Sequence, residues 1–204
     1  KADCRDEEGM GVRIGYMNFI NCSPSNPINC IQVKIALPAG CQYNCKEGST
    51  YTEILKLVDN ITDTSGNTPI ASALEKALTT LNTHKLNDCA AACRKKFVIL
   101  ITDGDDTLAC NGNGSSSQQD QYKRRRETVA KAKALAEAGY NVFVVGFGAN
   151  MPHYLKNTLN WAAKFGGTDN PLASNSGDLE GYNPSLVTTS CQNSTVLSHD
   201  LGAG

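Results

Sequence analysis

Five apolar residues follow one another without alternation at Phe97 to Ile101, and the polar residues of that stretch, Thr102, Asp103, Gly104, Asp105 and Asp106, all come after it. An unbroken apolar run of this length predicts a strand buried on both faces, as at the centre of a parallel sheet. Tyr140 to Phe147 repeats the pattern and predicts a second such strand. Ile31 to Leu37 differs: Ile31, Val33, Ile35 and Leu37 alternate with Gln32, Lys34 and Ala36, which predicts a half-exposed antiparallel edge strand. Gly11 to Ile20 is its expected hairpin partner, with Val12, Ile14 and Tyr16 on one face. Helical spacing governs the rest. Ile54, Leu55, Val58 and Ile61 follow a cap at Ser49 or Thr50. Ile70, Ala73, Leu74, Ala77, Leu78 and Leu81 follow Thr68-Pro69, with Thr68 expected at the N-cap and Pro69 in the first helical position. Two more helices are predicted over Tyr122 to Ala138, stopping at Gly139, and over Pro152 to Phe165, stopping at Gly166-Gly167.

Between these elements, Asn21 to Asn29 and Leu108 to Gln119 read as loops. Residues 1–10 form an irregular lead-in, 11–168 one α/β domain, and 169–204 a loop-rich extension. At 204 residues the chain is long enough for a core of its own. A net charge of −1 gives no field that would draw it to nucleic acid or an anionic membrane, and no apolar run reaches membrane-spanning length. The start at Lys1, without a secretory leader, reads as a processed or excised end.

Nine cysteines with no Cys-x-x-Cys pair point to disulfides rather than zinc, and so to an oxidising compartment. Cys22 with Cys30 and Cys41 with Cys45 are plausible local pairs. Cys89 and Cys93 would lie one helical turn apart, able to bridge each other or reach elsewhere, and the odd count leaves one thiol over.

Three carboxylates at Asp103, Asp105 and Asp106 repel one another unless a cation, hydrogen-bond donors or open water offsets the repulsion. A metal site is one reading, and a solvated turn with Gly104 at positive φ is the other. The run Lys123-Arg124-Arg125-Arg126 reads as a solvated helix face, because Glu127 and Glu137 share the helix. His84, His153 and His199 are scattered, lack an activated nucleophile nearby and read as surface residues.

Four motifs in order resemble the von Willebrand factor type A domain. Gly66-Asn67-Thr68-Pro69-Ile70 with Ala73-Leu74 is similar to its "G-x-T-P-hydrophobic" metal loop. Val98 to Gly104 is similar to its strand ending in T-D-G, Val142 to Gly148 to its next strand, and Ala162-Ala163 with Gly166-Gly167 to its "A…GG" helix end. The resemblance implies a Rossmann-like open sheet, mostly parallel with one antiparallel edge strand and helices on both faces. It also implies a metal ion-dependent adhesion site for Mg²⁺ or Ca²⁺, in which Thr68 matches the direct threonine ligand and Asp103 the aspartate. The family's D-x-S-x-S loop and the central strand before it have no counterpart here. Binding of the cation by this chain alone is therefore expected to be weak or absent. A preceding segment or another chain is expected to supply the strand, without which the core stays half-covered.

Gly148 to Pro171 further resembles PilY-type proteins, the tip-associated adhesins and assembly factors of bacterial type IV pili. That narrower resemblance implies a non-enzymatic adhesion or assembly module, exported to the periplasm, cell surface or pilus tip, whose partners are pilus subunits or a host or surface protein. The competing expectation is a metal-dependent hydrolase or phosphotransferase using Asp103, Asp105 and Asp106. No phosphate-cradling glycine loop supports it, since Asn111-Gly112-Asn113-Gly114 lacks the lysine.

Overall fold

The structure is a computed structural model and describes residues 13–20, 22–23, 25, 27–37, 50–60, 66–88, 91–111, 118–148 and 151–169. Four strands and four α-helices are described: β1 (Tyr16–Phe19), β2 (Ile31–Ile35), α1 (Thr50–Asp59), α2 (Ile70–Leu86), β3 (Lys96–Thr102), α3 (Gln118–Glu137), β4 (Tyr140–Gly146) and α4 (His153–Phe165). A short 3₁₀ turn, Ala109–Asn111, follows the β3 loop. The class is α/β and Rossmann-like, with a parallel pair and an antiparallel pair of strands.

β3 and β4 pair in parallel from Lys96↔Tyr140 to Thr102↔Gly146, joined by the segment that contains α3. One face of this pair carries the core. Ile70, Leu74 and Leu81 of α2, Val129 and Leu135 of α3, and Trp161 of α4 pack with Leu100 and Val142 of the strands. α3 ends on Gly139, whose φ of 88° is a left-handed value that glycine adopts freely. α4 closes against β4 at Gly166, where a Cβ would stand 2.8 Å from that of Val142.

The opposite face is exposed among the described residues. Phe97, Ile99 and Ile101 are 56, 64 and 61 % exposed, and Phe143, Val145 and Phe147 lie open beside them. The uninterrupted apolar run thus predicts too much: β3 alternates between covered and exposed residues, because α2, α3 and α4 all lie on the side of Leu100. Phe147 N–H donates to the Thr102 carbonyl. Residues alternate edges along a parallel strand, so Phe97, Ile99 and Ile101 direct their own backbone groups to the edge of β3 away from β4. That edge has no hydrogen-bonded neighbour among the described residues.

β1 and β2 form a separate antiparallel hairpin, Phe19↔Ile31 to Tyr16↔Ile35, instead of joining β3 and β4 in one sheet. Its loop is closed by the Cys22–Cys30 disulfide. At the start of β3, the buried Asp88 carboxylate takes Lys96 at 3.1 Å, Arg13 at 3.8 Å and Arg94. A charge out of water needs such partners. This cluster ties the lead into β1 to the end of β3 opposite the acidic turn.

Several boundaries shift. β1 and β2 are shorter than their apolar patterns, and α3 begins before Tyr122. α1 stops at Asp59 and leaves Leu55 and Val58 exposed. Cys110 is disulfide-bonded, and Cys93 is a free, exposed thiol. Cys41, Cys45 and Cys89, His199, and the extension after Asp169 lie outside the described residues. No helix among the described residues is long and apolar enough to cross a membrane.

Candidate functional site

The C-terminal end of β3 is a turn built by its own threonine. The Thr102 hydroxyl donates to the Gly104 carbonyl at 3.1 Å and accepts from Gly104 N–H at 3.3 Å, which leaves Asp103 exposed at the tip. Thr68 arrives from the loop before α2. A Cβ at Gly104 would lie 3.7 Å from Thr68 Oγ1, so the threonine hydroxyl sits against the T-D-G turn. The two segments are stapled one step further on. Thr68 N–H donates to Thr107 Oγ1 at 2.8 Å, and Thr107 N–H donates to the Thr68 carbonyl at 2.9 Å.

Thr68 is not the cap of its helix. α2 starts at Ile70 with Pro69 in the cap position, and proline has no side-chain acceptor to offer. The acceptor comes from the other segment: Asp106 Oδ2 takes Ala71 N–H at 2.6 Å. Asp106 Oδ1 takes Leu108 N–H at 2.8 Å and Ala109 N–H at 2.7 Å. Among the described residues no hydrogen bond engages the Thr68 hydroxyl.

The three carboxylates resolve their repulsion in three ways. Asp103 faces water. Asp105 Oδ2 receives Arg125 Nε at 2.9 Å; burial lifts its carboxyl above the ordinary range while the Arg125 charge and hydrogen bond pull it down. Asp106 is pushed up to about 6, by burial first and against its three N–H donors, with the Asp105 charge adding to the rise. Both oxygens of Asp106 are thus committed to backbone donors and Asp105 to an arginine. The acidic triplet does not converge on one point, and no group of three or more His, Cys, Asp or Glu side chains among the described residues is placed to hold a metal.

The basic run is not a solvated face. Arg124, Arg125 and Arg126 are 3, 4 and 1 % exposed. Arg124 Nε donates to the Asp106 carbonyl at 2.9 Å, and the Arg125 guanidinium lies 3.9 Å from the centre of the Tyr154 ring. α3 therefore grips the acidic loop from behind, and α4 supplies the aromatic face under the grip. On the hairpin side, Leu108 packs with Cys22, Cys30 and Ile31, and Asn67 Nδ2 donates to the Cys22 carbonyl at 3.0 Å. The disulfide is a buttress of this rim, which its short sequence spacing does not announce. His84 is buried on the core side of α2 rather than at the surface; the side chain of His153 lies outside the described residues.

A family model for the von Willebrand factor type A domain matches residues 39–165, more than half of the chain. The chain belongs to this family. Comparison with curated proteins and with solved structures gives no match. The match runs from before α1 to the end of α4, leaving the β1–β2 hairpin outside it. Type A domains are typically non-enzymatic modules for protein–protein interaction and adhesion, occur in extracellular or secreted proteins, and often bind a divalent cation. Thr68 and Asp103 offer hard oxygen donors suited to such an ion, yet two donors fall short of the roughly six that Mg²⁺ or Ca²⁺ takes.

Proposed function

We propose that this type A domain is a cation-assisted adhesion or assembly module of a bacterial surface filament, similar to the tip-associated PilY-type proteins of type IV pili. Thr68 and Asp103 would supply its ligands to Mg²⁺ or Ca²⁺. The observation that carries this reading is the placement of the Thr68 hydroxyl beside the turn that exposes Asp103, with no competing cap bond on the threonine. The remaining ligands would come from water, from a partner carboxylate and from a D-x-S-x-S loop supplied by a preceding segment or another chain. The same segment, or a strand donated by another chain, would pair with the free edge of β3 and cover Ile99 and Ile101. Residues 11–168 then form the domain and 169–204 an extension, in an exported protein whose partners are pilus subunits or a surface protein.

Calorimetric titration with Mg²⁺ tests this. The 204-residue chain should bind weakly, and the same chain with a D-x-S-x-S strand and loop fused before Lys1 tightly. Asp103→Ala or Thr68→Ala should abolish the tight binding while the circular dichroism spectrum stays unchanged. Tight binding by the 204-residue chain that survives both substitutions would place the cation elsewhere and end the adhesion-site reading.

A further inference from the structure

The geometry points to Thr107 as the positioning residue for the Thr68 hydroxyl, with Asp106 holding the frame in which it acts; the inference rests on Thr68 and Asp103 being cation ligands. Thr107 clasps Thr68 on both sides of its Cα. Its hydroxyl accepts from the Thr68 N–H and its own N–H donates to the Thr68 carbonyl. Two bonds to the two peptide units that flank one residue fix the planes of both, and with them the direction of the Cβ between them. The Thr68 Cβ, and with it the few staggered positions open to the hydroxyl, is thereby set by Thr107, a residue 39 positions away, rather than by its own helix.

Thr107 can do this because its own backbone is immobilised. Asp106, the residue before it, binds the first turn of α2 through Ala71 and the following turn through Leu108 and Ala109. Arg124 holds the Asp106 carbonyl from α3. The Thr68 hydroxyl and the Asp103 turn are therefore set in relation to each other by protein–protein bonds before a cation arrives, which is how outer partners orient ligands at metal sites.

The test uses the 204-residue chain, Mn²⁺ as a paramagnetic probe up to millimolar concentration, and backbone amide NMR. In the wild type, Mn²⁺ should broaden the Thr68 and Gly104 signals, and Asp103→Ala should remove the effect. Thr107→Val keeps the side-chain volume and deletes the acceptor. It should raise the half-broadening concentration roughly tenfold and speed hydrogen exchange at the Thr68 amide, with the Ala71 amide still protected. Thr107→Ser, which keeps the hydroxyl, should restore both. If Thr107→Val matches the wild type while Asp103→Ala abolishes broadening, the positioning role is wrong and the cation site stands. Failure of serine to restore what valine loses would also overturn it. No broadening in the wild type up to millimolar Mn²⁺, or broadening indifferent to Asp103→Ala, would overturn the positioning role, because this chain would then hold no ion for the Thr68 hydroxyl to be positioned toward.

Discussion

Replacing Asp106 by alanine exposes how much of the rim depends on one buried carboxylate. The substitution leaves the N–H groups of Ala71, Leu108 and Ala109 without their acceptor. At about 1–3 kcal/mol for each buried unpaired group, the three together cost about 5 kcal/mol. Against this, the variant no longer buries a charge at neutral pH. Asp106 sits at about 6 in the folded protein against ~3.9 in an unfolded chain, a difference of about 3 kcal/mol. The net loss at pH 7 is then about 2 kcal/mol. Because the folded-state value is raised, the stability linked to this proton is fully present below about pH 4 and is lost as the pH rises through about 6. The wild type gains it on acidification and the variant does not, so the difference between them should grow to about 5 kcal/mol near pH 4. Urea unfolding of both proteins, followed by circular dichroism at several pH values from 4 to 7.5, measures this directly. A difference that shrinks on acidification would mean that the three N–H donors hold the carboxylate ionised against its burial. A difference below about 0.5 kcal/mol at every pH would mean that the rim does not need this cap.

Gly166→Ala drives a methyl to within 2.6 Å of the Ala162 carbonyl and 2.8 Å of Val142 Cβ, and should cost about 1–3 kcal/mol in urea unfolding. Gly139→Ala meets nothing within 4 Å but inherits φ 88°, so its cost should be conformational and nearer 1 kcal/mol; equal costs would contradict the steric account of Gly166. Ile99→Thr should change the stability of the 204-residue chain by less than about 0.5 kcal/mol, whereas its neighbour Leu100→Ala should cost about 2–5 kcal/mol. A large Ile99 effect would show that the bare face is covered in solution. Alkylation without reduction, read by peptide mass spectrometry, should label Cys93 and spare Cys22, Cys30 and Cys110; labelled Cys22 or Cys30 would remove the buttress from the rim.

The acidic turn after β3 was legible, because an apolar run followed by T-D-G sets Asp103, Asp105 and Asp106 at the C-terminal end of the strand. The parallel pairing with Tyr140–Gly146 and the antiparallel hairpin were legible from the two kinds of apolar pattern. Coverage was not. Apolar side chains at Phe97, Ile99 and Ile101 state a need for burial and say nothing about whether a neighbour meets it. The role of Thr68 was misread for a related reason: a threonine before Pro69 is the expected local cap, and the actual acceptor, Asp106, lies 35 positions beyond the Ala71 it serves. Arg124 and Arg125 were hidden in the same way. Their burial depends on the Asp106 carbonyl, the Asp105 carboxylate and the Tyr154 ring, which come together only in the folded chain.

The Cys22–Cys30 bridge spans only eight positions, whereas the bonds that assemble the rim span 35 and 39. Closing a short loop is fast, and contacts between distant segments form late. The hairpin can therefore be oxidised before the Asp106 segment has met α2. Correct pairing of these two cysteines is then an early milestone of folding, shared by mature molecules and by trapped intermediates. A preparation judged sound by its thiol count can still contain chains whose Thr68 and Asp103 have never met.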